Sequence, residues 1–95
     1  MGAVSVKGFT VVRDIFGAST VVVEVAPGET VRGVLESLLA RFGGPLRSIL
    51  CDPSSGEVTP FPITLNDELI SSTLDGDRGV ESGDEITIIF PVGGG

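Results

Sequence analysis

The sequence predicts an α+β fold in which a mixed β-sheet wraps over one main helix. An apolar stripe at helical spacing marks the helix: Val31, Val34, Leu35, Leu38, Leu39 and Phe42 fall at i, i+3, i+4, i+7, i+8 and i+11. Segments rich in β-branched and aromatic residues lie on both sides of it, at 4–12 and 21–25 before and at 61–65, 68–70 and 86–90 after. A lone amphipathic helix needs its apolar face covered, and strands arriving from both sides cover it as one sheet.

Residues 4–12 (VSVKGFTVV) read as the first strand. Val4 and Val6 alternate, then Phe9 and Val11, with Gly8 shifting the phase as a bulge would. After a turn around Gly17, Val21, Val23 and Val25 alternate with Val22 and Glu24 in a second strand, paired with the first as a hairpin. Pro27-Gly28 stops that strand and Thr30 is the N-cap of the helix, which Gly43-Gly44-Pro45 ends. Arg32, Glu36, Ser37 and Arg41 occupy its polar side.

Residues 46–60, with Asp52-Pro53-Ser54-Ser55-Gly56 and Pro60, read as a loop. Phe61, Ile63 and Leu65 make a third strand, which Asn66-Asp67 turns into the short strand Glu68-Leu69-Ile70. A second loop holds Asp75-Gly76-Asp77 and Gly79. Ser82-Gly83-Asp84-Glu85 then turns into a last strand carrying Ile86, Ile88 and Phe90. That strand is expected to lie beside the first and parallel to it. The expected organisation is one domain over 1–90 and a flexible glycine tail over 91–95.

Composition bounds the function. Val, Ile, Leu and Phe supply 33 of the 95 residues, enough for a packed core. The net charge of −7 repels phosphate backbones, so nucleic acid is not an expected partner and a basic protein surface is. With no His and one Cys, zinc sites of the Cys/His kind and iron–sulfur clusters lack ligands, and no internal disulfide can form, which fits a reducing cytoplasm. No apolar run approaches the roughly 20 residues that span a bilayer, and the first residues do not read as a signal peptide, so no membrane partner is expected. Without His, Tyr or Trp the usual acid–base toolkit is nearly empty.

The remaining candidates for chemistry read as structure. Cys51 has no His to activate it and is expected to be a passive small apolar residue. Asp75, Asp77 and Glu81 lack the third ligand and the glycine of a calcium loop. Asp84 and Glu85 are strand neighbours that point to opposite faces, and Gly76 and Gly79 have no Lys nearby and no helix following. No metal ligand is assigned.

The carboxyl end carries the functional signal. Phe90-Pro91-Val92 leads into Gly93-Gly94-Gly95. Residues 91–95 can extend about 17 Å from the body. Glycine, lacking Cβ, can enter a channel too narrow for other residues. What the tail delivers is an α-carboxylate, ionised at neutral pH.

The chain resembles the MoaD/ThiS family of ubiquitin-like sulfur carriers, which includes the small subunit of molybdopterin synthase and the thiamine-pathway carrier. The resemblance rests on Phe9-Thr10-Val11-Val12-Arg13-Asp14-Ile15-Phe16-Gly17, Pro27-Gly28-Glu29-Thr30-Val31, Leu65-Asn66-Asp67-Glu68 and Ser82-Gly83-Asp84-Glu85-Ile86, taken with the terminal Pro91-Val92-Gly93-Gly94-Gly95. The end is similar to the family's Pro-Val-x-Gly-Gly, with Gly93 at x. The family often has Pro where Phe90 stands, and residues 46–60 are longer than in its compact members. Longer members, among them a carrier for cysteine synthesis, look similar there.

The resemblance implies a β-grasp, ubiquitin-like domain that is a carrier rather than an enzyme. It implies that Gly95 is adenylated and converted to a thiocarboxylate, with Pro91, Val92, Gly93 and Gly94 guiding it. The partner would be an adenylating enzyme of the ubiquitin-activating type, which holds ATP and metal while the chain binds no cofactor. A persulfide or sulfide supplies the sulfur, and a larger synthase subunit accepts it. Molybdopterin synthesis is the expected destination. Thiamine, cysteine or thiolated-tRNA synthesis, a ubiquitin-like modifier and a non-covalent binding module are the alternatives. Phe61, Ile63 and Phe90 are the expected docking face.

Overall fold

The computed structural model describes residues 2–89. The elements follow in the order β1 (Gly2–Gly8), α1 (Thr10–Phe16), β2 (Thr20–Val25), α2 (Val31–Phe42), α3 (Gly44–Leu50), β3 (Pro62–Leu65), β4 (Glu68–Ser71) and β5 (Glu85–Ile88). The five strands form one sheet in the order β2-β1-β5-β3-β4. β5 is the central strand, parallel to β1 and antiparallel to β3. The expected insertion of the last strand beside the first is what the structure has.

Strand alternation sorts the sheet into two faces. Val4, Val6, Val21, Val23, Val25, Ile63, Leu65, Ile70, Ile86 and Ile88 point inward and are buried. Against them lies the apolar stripe of α2, with Val31, Val34, Leu35, Leu38 and Leu39 buried. The hydroxyl of Thr30 accepts the Gly33 N–H at 3.2 Å, as an N-cap does. Two more first-turn amides are satisfied by the 75–79 loop: Val31 N–H donates to the Arg78 carbonyl and Arg32 N–H to that of Gly76, each at 2.9 Å.

Two elements depart from the sequence reading. The first strand ends at Gly8, and residues 10–16 form α1 instead of continuing it. α1 buries Val12 and Phe16, one helical turn apart, and closes on Gly17 in the left-handed region at φ 75°. β1 and β2 are antiparallel neighbours, but α1 joins them in place of a tight hairpin turn. Residues 44–50, which fall largely in the expected 46–60 loop, form α3, burying Leu46 and Leu50 against the core. Pro45 sits in its first turn, where a missing N–H costs nothing and a fixed φ helps. The Gly43-Gly44-Pro45 stop of one helix is therefore also the start of the next.

Asn66 and Asp67 both have positive φ, 51° and 74°, the requirement of a two-residue turn that matches strand twist. The Asn66 side chain then clasps the entry to β5. Its Oδ1 accepts the Glu85 N–H at 2.9 Å and its Nδ2 donates to Asp84 Oδ1 at 2.9 Å.

Candidate functional site

The exit of β5 is where the sequence signal and the fold meet. β5 is held on both sides, by β1 through residues 85–88 and by β3 through residues 86–88. Ile89 N–H adds one more bond, to the Pro62 carbonyl at 3.2 Å. The strand that precedes the glycine run is thus anchored in the middle of the sheet.

Alternation places an apolar row on the solvent face at this exit. The ladder of β1 and β5 ends at Gly8 and Ile88, and Phe9 and Ile89 are the residues that follow them, each one step beyond the buried end of its strand. Phe9 is 56% exposed and Ile89 40%. Pro62 is exposed on the same face, bonded to Ile89 and opposite Ser71. Phe9, Ile89 and Pro62 are therefore the exposed apolar residues at this end of the central strands and the candidate interaction surface. Phe9 owes its display to the chain reversal after it: Thr10 has φ 50°, a left-handed conformation unusual for a β-branched residue.

The docking face expected from the sequence is corrected here. Phe61 is 5% exposed and Ile63 is 0% exposed, because the inward phase of β3 and the residue before it turns both into the core. Their solvent-facing strand neighbour is Pro62. Phe90 and the tail residues Pro91, Val92, Gly93, Gly94 and Gly95 lie outside the described residues. Phe9 stood within the stretch taken as a strand, so its exposure was not anticipated. The signal that could have found it is the outward phase set by Ser5 and Lys7.

The opposite end of the sheet is acidic. Asp67, Glu68, Glu81, Asp84 and Glu85 gather around the turns that join β3 to β4 and lead into β5. Glu68 takes both arms of Arg78, at 2.5 and 3.0 Å. The hydrogen bonds from Arg78, then its charge, hold the Glu68 carboxyl below its ordinary 4.5 and raise Arg78 in turn. The molecule is therefore polarised, with an apolar exit and an acidic far end.

The other candidates are structural. Asp75 accepts the Ser71 N–H at 2.7 Å, Asp77 pairs with Arg32 at 2.5 Å, and Asp84 accepts the Glu81 N–H at 2.8 Å. Among the described residues no group of His, Cys, Asp and Glu could hold a metal ion. Cys51 is buried behind α3, its N–H donating to the Arg47 carbonyl. A cleft of about 520 Å³ lies between α2 and residues 56–58 and 72–73, lined by Arg32, Glu36, Arg47 and Glu57.

Residues 6–95 match the ThiS family. The chain belongs to that family. Its members are ubiquitin-like sulfur carriers and modifiers, and the sheet order and single main helix are those of a β-grasp, ubiquitin-like fold. The chain is similar to the small archaeal modifier protein 1 of Haloferax volcanii, at 26% identity over 99% of this chain and 100% of that one, with a TM-score of 0.83. It is similar to Mycobacterium tuberculosis CysO, an antigen, at 27% identity over 94% and 99% of the two chains, TM-score 0.66. A Pyrococcus furiosus chain provisionally named molybdopterin converting factor subunit 1 shares the fold, at 21% identity, 97% and 100% coverage and TM-score 0.73. No curated protein sequence is a significant match. No helix among the described residues is long and apolar enough to cross a membrane.

Proposed function

We infer that the chain is a sulfur carrier whose Gly95 carboxylate is the cargo site. The observation that carries this reading is positional: in sequence the glycine run follows directly on the central, doubly paired strand of the sheet, and the end of that strand carries exposed Ile89, with Phe9 and Pro62 exposed at the ends of its two neighbours. A carboxylate is a poor acyl donor because oxide would have to leave. Attack of the Gly95 carboxylate on the α-phosphate of ATP releases pyrophosphate and forms an acyl-adenylate. Hydrosulfide then attacks the acyl carbon, AMP leaves with the bonding pair, and a thiocarboxylate remains.

The adenylating enzyme supplies the ATP site and metal. The chain supplies the carboxylate, Pro91, Val92, Gly93 and Gly94 as its narrow approach, and the apolar row as a docking face. A synthase subunit then accepts the sulfur, and molybdopterin synthesis is the destination we place first. Transfer into cysteine is its rival, supported by the resemblance of residues 46–60 to the longer members of the family, and thiamine and thiolated tRNA follow. A second reading, attachment to other proteins, is favoured by the likeness to small archaeal modifier protein 1. It uses the same activated end.

Intact mass after incubation with ATP, sulfide and a ubiquitin-activating-type enzyme tests the proposal. The expected result is exchange of one oxygen for sulfur, mapped to Gly95 by fragmentation and lost on deletion of Gly95. Absence of the exchange with every such enzyme tried would overturn it. Isopeptide-linked adducts in cells, without the exchange, would favour the modifier.

A further inference from the structure

β2 is an edge strand, and its free side is chemically specific. The Gly8 N–H donates to the Ser19 carbonyl at 3.2 Å, which fixes the phase of the antiparallel ladder. Counting by two along the register, Val21, Val23 and Val25 direct their backbone groups to β1, while Thr20, Val22 and Glu24 direct theirs outward. Of those outward groups, the Val22 carbonyl is taken: Arg41 Nη1, from the exposed side of α2, donates to it at 2.9 Å. Val22, Val23, Glu24, Ser37 and Arg41 line a groove of about 430 Å³ between the strand edge and the helix.

Arg41 differs from the other cations in donating to an outward backbone group of the edge strand. Among the described residues it forms no salt bridge, resting instead on a neutral carbonyl and over the Phe42 ring at 5.2 Å. A guanidinium in that position would gain by exchanging the carbonyl for a carboxylate. The exchange would free the Val22 carbonyl for a new ladder.

We propose that the β2 edge and the adjoining face of α2 form a docking groove for an extended segment of a partner protein that carries an acidic side chain in register with Arg41. The backbone groups of Thr20, Val22 and Glu24 extend the sheet by one strand, and the carboxylate draws Arg41 off Val22. Two copies of this chain pairing edge to edge are disfavoured, because each carries −7. The groove is separate from the β5 exit, so the proposal stands independently of the sulfur chemistry.

The test uses the full chain, ¹⁵N-labelled, titrated to the solubility limit with three capped peptides. One alternates Thr and Val around a single central Glu, one has Gln in its place, and one keeps Glu but is N-methylated at alternate amides. Amide shifts are expected to concentrate in Thr20–Glu24 and Ser37–Arg41. The Gln peptide should bind about two- to fivefold more weakly, the range of an exposed ion pair. Arg41→Ala should erase that difference, and N-methylation should abolish binding. Absence of binding, shifts centred on β4 or the β5 exit, or equal binding of the methylated peptide would overturn the proposal. Tighter binding of both unmethylated peptides to Arg41→Ala would show that Arg41 only guards the edge, and would also overturn it.

Discussion

Ser72 and Phe61 exchange two hydrogen bonds: the Ser72 N–H donates to the Phe61 carbonyl, and the Ser72 hydroxyl accepts the Phe61 N–H, both at 3.0 Å. The same hydroxyl donates to the Thr59 carbonyl at 2.8 Å. Among the described residues Ser72 is the one buried polar side chain, 3% exposed, and it ties the approach to β3 to the loop after β4. Ser72→Ala removes both hydroxyl bonds and a single oxygen atom from the core. Urea denaturation should show a loss of about 1–3 kcal/mol. A loss within the error of the fit would mean that the hydroxyl contributes nothing.

Gly8 is required by a close approach, not by a turn. A Cβ there would lie 2.4 Å from Cγ1 of Val12, a fully buried residue of α1. Gly8→Ala should lower stability by about 1–3 kcal/mol through overpacking. Pairing it with Val12→Ala should recover part of that loss, because the clashing methyl is gone. If the double variant is simply the sum of two separate losses, the contact does not couple them.

The same contact explains what could not be read from the sequence. In Thr10-Val11-Val12-Arg13-Asp14-Ile15-Phe16 the β-branched residues favour a strand, and seven residues are too few for a helical period to stand out. Tertiary packing of Val12 and Phe16 decides the matter, with the Phe16 ring tilted against that of Phe42 of α2 at 4.9 Å between centroids. Pro45 was equally ambiguous, since the same residue ends one helix and suits the first turn of another. Where the periodic run was long, as in Val31–Phe42, the helix and its Thr30 cap were legible to the residue. The docking face was not, because alternation shows that Ile63 and Thr64 face opposite ways but not which of them faces water. Only the placement of α2 settles that.

Glu68 and Arg78 provide a pH-dependent element at the acidic end. The folded carboxyl lies below its ordinary 4.5, so its contribution is full above that value and is lost as the pH falls through the folded value. Both side chains are partly exposed, so the effect is small and screened by salt. Urea midpoints of the wild type and Glu68→Gln should differ at neutral pH, with the wild type more stable. The difference should shrink on acidification below 4.5 and with added salt. A difference that is constant across the titration would show that the ion pair is not its source.

The apolar row at the β5 exit makes a kinetic prediction. Phe9 and Ile89 are exposed, so Phe9→Glu and Ile89→Glu should change stability by no more than about 0.5 kcal/mol. On the proposed function the row binds the activating enzyme without touching the reacting carboxylate. Its loss should therefore raise the KM for the carrier in thiocarboxylate formation while leaving kcat near the wild-type value. Leu69→Glu is the control: Leu69 is 67% exposed on β4, paired with Thr64 and away from Phe9. It should leave both parameters unchanged. If all three variants raise KM alike, added negative charge is responsible rather than the row. A fall in kcat with KM unchanged would instead place Phe9 or Ile89 in the path of the tail.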